Sequence, residues 1–176
     1  MQTPYSDNII FFDTEFTHLV PKIGELLSIG MVKYTGEELY LEFEYGVDPH
    51  PWVIENVLPT LKGNPVSKAV AREQLNEFVG DSKPYLMAYV NQFDAIYWYE
   101  LFEDPKAHPS FWIPIDFASV LFGAGYDPNS MGKDRFFEEL GVDKSVYNLH
   151  NALDDAQLLS VVYKKFIELQ ARKQAE

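Results

Sequence analysis

The sequence predicts an α/β fold: an antiparallel meander of strands feeds a βαβαβ unit, and the resulting mixed sheet is flanked by helices and closed by a long C-terminal helix. Three features point to it. Three early runs are rich in Ile, Val, Phe and Tyr, the middle alternates helical spacing with short apolar runs, and one helical stripe extends from about Ala152 to Gln170.

The first strand covers Asn8 to Phe12 and runs into "FFDTEF"; the second is "ELLSIGMVKY" and the third, across the turn "TGEE", is "LYLEFEY". In the third, Leu39, Leu41 and Phe43 alternate with Tyr40, Glu42 and Glu44, so one face is expected in the core and the other in water. "SKAVAREQLNEFVG" places Val70, Leu75, Phe78 and Val79 near helical spacing and stops at Gly80, as a crossover helix does. "PYLMAYV" reads as a short buried strand, "FDAIYWYELF" as a helix, and "FWIPID" as a strand interrupted or ended near Pro114. Asp116 is positioned to cap the helix that follows. "DPHPWVIENVLPTL" shows no core period.

With 176 residues, 47% apolar and 15% aromatic, the chain can bury one sizeable core, and one domain over residues 1–176 is the expectation. The lack of cysteine removes disulfides, thiolate catalysis and cysteine-ligated metals, and fits a reducing compartment. The apolar runs are too short to span a bilayer, and "MQTPYSDN" lacks a basic start and apolar stretch, so a cytoplasmic protein without membrane partners is expected. The final "QARKQAE" reads as a fraying helix end. A net charge of −13 argues against broad electrostatic binding of duplex DNA or anionic membrane. A polyanionic ligand would need a basic patch, aromatic stacking or bound divalent cations, and cations would also account for clustered carboxylates.

Those carboxylates occupy costly places. Side chains alternate along a strand, so Asp13 and Glu15 share one face while Thr14, read as a spacer, takes the other. Asp94 stands at helical spacing from Trp98 and Leu101, on the apolar side, although an acid in a first turn also complements the helix dipole. Asp155 falls in line with Leu159, Val162 and Phe166, whereas its neighbour Asp154 is turned about 100° away. An ionised carboxylate on an apolar face needs a partner, no Lys or Arg adjoins these positions in sequence, and a metal is the economical one. His150 belongs on the loop entering the last helix, from where it can reach over the site; His18, His50 and His108 read as structural or solvated.

Asp13-x-Glu15, Asp94 within "VNQFD" and His150-x-Ala152-x-x-Asp155 resemble, in order and spacing, the three motifs of the DEDDh exonucleases, the group containing polymerase proofreading subunits and RNase T. The resemblance covers most of the chain. "DTEF", "ELLSIGMV", "WVIENVLPTL", "AYVNQFD" and "HNALDDA" are more closely similar to the bacterial exoribonuclease AS group and a related phage exodeoxyribonuclease. The resemblance implies a ribonuclease H-like fold and two Mg²⁺ ions, with Mn²⁺ as substitute, held by Asp13, Glu15, Asp94 and Asp155. It also implies His150 as general base and 3′–5′ hydrolysis to nucleoside 5′-monophosphates. Phe16 is then placed to stack on a terminal base, with core packing the alternative; Asn91 could meet the nucleotide or fix its turn.

The implied partner is the 3′ end of single-stranded RNA, adenylate-rich in the nearer group, and small DEDDh enzymes often form homodimers. Two alternatives stay open: an exodeoxyribonuclease with the same site, because only 2′-hydroxyl contacts separate the two, and a non-catalytic acidic metal-binding module.

Overall fold

The computed structural model describes residues 4–103 and 106–174. The extreme termini, on which the expectations of an untargeted start and a fraying end partly rest, lie outside the described residues.

The expected mixed α/β architecture is present. Strands β1 (Ile9–Phe16), β2 (Leu26–Lys33) and β3 (Glu38–Phe43) form the antiparallel meander. Helix α1 (Pro51–Asn56) and a 3-10 turn, Leu58–Thr60, lead to a two-residue strand β4 (Pro65–Val66). Then come helix α2 (Lys68–Val79), strand β5 (Tyr85–Ala88), helix α3 (Gln92–Phe102) and strand β6 (Ile115–Asp116). Helices α4 (Phe117–Gly123), α5 (Asp134–Leu140) and α6 (Ala152–Lys173) complete the order. The sheet runs β4-β3-β2-β1-β5-β6, with β1 antiparallel to β2 and parallel to β5.

Both sheet faces are covered, which is why β1 reads as a continuous apolar run. Ile10 and Phe12 pack with Leu75, Tyr97 and Trp98 from α2 and α3. Ile9 and Phe11 pack with Phe117, Phe137, Leu159 and Phe166 from the other helical layer. Each large side chain buried this way contributes roughly 1.5–3 kcal/mol, so β1 is held from both sides. Gly80, at φ 71, ends α2 as expected. Asp116 caps α4 by accepting from the amides of Ala118 and Ser119, and its Oδ1 also accepts from Val90 N.

Two expectations are corrected, and a segment left open by the sequence takes a defined form. The polar face of β3 is not in water at Glu42, which is 4% exposed. Its carboxylate accepts from the backbone amides of Lys62, Gly63 and Asn64 and from the Tyr40 hydroxyl, so these donors take the place of water. The run "FWIPID" contributes only Ile115 and Asp116 as strand, because Pro114 supplies no amide to the ladder. The segment without a core period forms α1 and the 3-10 turn; Val53 and Val57 turn inward onto Leu27 while Trp52 and Ile54 stay exposed. Among the described residues, no helix is long and apolar enough to cross a membrane.

Candidate active site

The site lies where β1 ends. Asp13 pairs with Gly30 and Glu15 with Ser28 across the ladder, so both carboxylates share the face toward α6. A Cβ on Gly30 would lie 2.2 Å from the Ala152 carbonyl oxygen and 2.3 Å from Leu153 N. A residue without a side chain is what lets the first turn of α6 lie directly on the sheet, bringing Asp155 over Asp13 and Glu15.

Asp94 arrives from the opposite layer. It sits in the first turn of α3, 6% exposed, beside buried Trp98 and Leu101 as the spacing requires. Its Oδ1 accepts from Thr14 N at 2.9 Å and from Thr14 Oγ1 at 2.7 Å. Thr14 is therefore more than a spacer. Pointing away from Asp13 and Glu15, it draws Asp94 to the strand that carries them.

Asp155 accepts from the backbone amide of His150 at 2.8 Å, and Asp154 turns outward to accept from Asn148 N. His150 stands on the loop before α6, as expected. One ligand atom each from Glu15, His150 and Asp155 lies within 4.8 Å of the others, so the imidazole stands with two of the four carboxylates, while Asp13 and Asp94 fall outside that close group.

Electrostatically the group is under strain. Burial pushes the Asp13 carboxyl well above the ordinary range, and the charges of Asp94, Asp155 and Glu15 push it further. Glu15 rises to about 8 through burial and the charges of Asp155 and Asp94. Asp94 rises to about 6 because burial outweighs the Thr14 hydrogen bonds. Asp155 also rises to about 6, burial outweighing the His150 amide while Asp154 and Asp94 add repulsion. Burial lowers the His150 value, favouring the neutral ring. Among the described residues, none of the ion pairs reaches these carboxylates. A clustered, half-dehydrated set of oxygen donors with no organic cation beside it fits a divalent metal.

Phe16 answers both of its readings. It stacks on Tyr97 with centroids 4.7 Å apart and planes 17° apart, yet it also lines a cavity of about 600 Å³ beside Glu15 and His150. Asn91 is half-buried at the N-cap of α3, and its side chain makes no capping bond there. His18, His50 and Trp52 complete the cavity wall with Leu19 and Val20. Sequence reasoning missed the first two because isolated histidines in loops carry no spacing signal. His108, in contrast, is buried as a structural residue and bonds the Ser110 hydroxyl.

No family model matches the sequence, and no curated protein matches it. Solved structures share its fold. Exonuclease I of E. coli in complex with a dT13 oligonucleotide aligns with TM-score 0.72 at 14% identity, over 94% of this chain and 42% of that one. A product-bound exonuclease I aligns with TM-score 0.71 at 14% identity, over 93% and 44%. The zinc-bound E. coli exonuclease I complex with single-stranded DNA gives 0.67 at 15%, over 92% and 40%. The chain thus spans about two fifths of the length of these proteins, and the ribonuclease H-like fold expected from its motifs is the one they share.

Proposed function

We propose that the protein is a metal-dependent 3′–5′ exonuclease that trims single-stranded RNA ends to nucleoside 5′-monophosphates. The observation that carries this reading is the meeting of Asp13, Glu15, Asp94 and Asp155 from three elements at one sheet end, with His150 beside them. The likeness in fold to exonuclease I supports it.

Asp13, Glu15, Asp94 and Asp155 would hold two Mg²⁺ ions, or Mn²⁺ in their place. Bound there, such ions supply Lewis-acid activation of water and neutralise charge at the phosphate. His150, kept neutral by its lowered value, accepts the proton of the attacking water at a ring nitrogen. Water oxygen bonds to phosphorus, the bond to the 3′ oxygen of the penultimate nucleotide breaks, and the 5′-monophosphate leaves. Phe16, backed by Tyr97, offers a face for the terminal base in the cavity, and Asn91 lies on the turn nearest Asp94 to meet the nucleotide. A chain of net charge −13 would engage a few nucleotides through stacking and cations rather than a long duplex.

A second reading keeps this chemistry and changes the sugar. It is favoured by the fold neighbours, which include exonuclease I bound to dT13 and dA16. Matched 5′-labelled RNA and DNA oligomers, including a homopolymer series, decide between them when incubated with and without Mg²⁺ and with Asp13→Ala as control. Stepwise shortening of RNA from the 3′ end supports the first reading; faster trimming of DNA replaces it with the second. Cleavage that persists in Asp13→Ala or without any divalent cation rejects both.

A further inference from the structure

We infer that the segment from Trp52 to Thr60 is a clamp that sets the placement of His150, with Thr60 as its positioning residue; the catalytic part of this inference rests on His150 acting as general base.

His150 adopts φ +67, a left-handed conformation that non-glycine residues seldom take, so the loop must be held by its surroundings. Contacts grip it from several sides. Its amide donates to Asp155, and its carbonyl accepts from Thr60 Oγ1 at 2.8 Å. The next residue returns the contact: Asn151 Nδ2 donates to the Thr60 carbonyl at 3.1 Å, while Asn151 Oδ1 caps α6. The imidazole meets Trp52 edge to face, with centroids 4.9 Å apart and planes at 85°.

The clamp is itself anchored to the sheet. Val53 and Val57 pack on Leu27 of β2, and the residues just beyond Thr60 are held by buried Glu42 of β3. Thr60 N donates to the Val57 carbonyl at 2.9 Å, which ties the threonine to the buried turn; the single hydroxyl proton has both the His150 carbonyl at 2.8 Å and the Val57 carbonyl at 2.9 Å within reach and is shared between them. His150 is thereby referenced to β2, which neighbours β1, and to β3 beyond it, through a residue 90 positions away in the chain.

Thr60→Val removes the hydroxyl at nearly constant volume, and Thr60→Ser keeps it. Amide hydrogen exchange over residues 148–151, direct Mn²⁺ binding, and kcat and KM on the oligonucleotide that the wild type degrades are measured for both. Thr60→Val is expected to speed exchange of that loop about tenfold and to lower kcat by about tenfold, as loss of one hydrogen bond allows, with KM and Mn²⁺ affinity within about twofold. Thr60→Ser is expected to restore both. Unchanged exchange in Thr60→Val, or a serine variant no better than valine, overturns the clamp. A fall in Mn²⁺ affinity matching the fall in kcat, or an unchanged kcat, overturns the positioning role. If exchange responds as expected but the wild type degrades no oligonucleotide, the clamp is upheld and the proposed function is what fails.

Discussion

Thr14 Oγ1 donates to Asp94 Oδ1 at 2.7 Å, joining the central strand to the helix of the opposite layer inside the buried interior. A hydrogen bond to a charged group in such a place contributes about 1.5–3 kcal/mol. Thr14→Val is expected to lose roughly that much stability in denaturant titration while its backbone amide still holds Asp94. The proposed nuclease activity should fall more than in Thr14→Ser. Equal stability of the valine variant and the wild type would show that the hydroxyl contributes nothing.

Gly30 lies under the first turn of α6, where an added methyl would meet backbone atoms at 2.2–2.3 Å. Backbone cannot step aside as a flexible side chain can, so Gly30→Ala should lift the helix start and Asp155 with it. The expected cost is about 1–3 kcal/mol, in the range of other overpacked sites, together with weaker binding of Mn²⁺ in a direct titration. Unaltered metal affinity would mean that Asp155 does not depend on this close approach.

The raised carboxylates make the metal-free protein pH-sensitive in a defined direction. Glu15 rises from 4.5 to about 8, and Asp94 and Asp155 from 3.8 to about 6, so the folded state holds more protons than the unfolded one across that interval. Stability from these groups is full below their unfolded values and is lost as pH rises through the folded ones. The melting temperature without metal should therefore fall between about pH 5 and 8, and Mg²⁺ or Mn²⁺ should restore it most at the upper end. Glu15→Gln should flatten the slope. A metal-free protein that is more stable at pH 8 than at pH 6 contradicts the assignment.

Glu42 behaves oppositely. Burial raises its value, but the amides of Lys62 and Asn64, the Tyr40 hydroxyl and the amide of Gly63 together hold it below the ordinary range. Its contribution is present above the unfolded value and lost as pH falls through the folded one. Glu42→Leu removes the charged acceptor shared by three amides of an exposed loop and should cost about 1.5–3 kcal/mol, the worth of a hydrogen bond to a charged group. Limited proteolysis is expected to cut first near Lys62; a loop as resistant as in the wild type argues against the anchor.

Elements with a strong period, and residues whose chemistry conflicts with their surroundings, are legible in the chain before it folds. The meander, α2, α3 and α6 follow from spacing, and Asp13, Glu15, Asp94 and Asp155 stand out because acid on an apolar face is costly wherever the chain goes. What meets across long separations emerges with the assembled fold. Thr14 reaching Asp94, Gly30 admitting α6, Glu42 gathering the amides of a distant loop and Thr60 holding His150 are contacts between residues far apart in the chain. The physical reason is that local propensity and periodicity act over a few residues, whereas a buried hydrogen bond or a close backbone approach exists only once the sheet and its two helical layers have assembled.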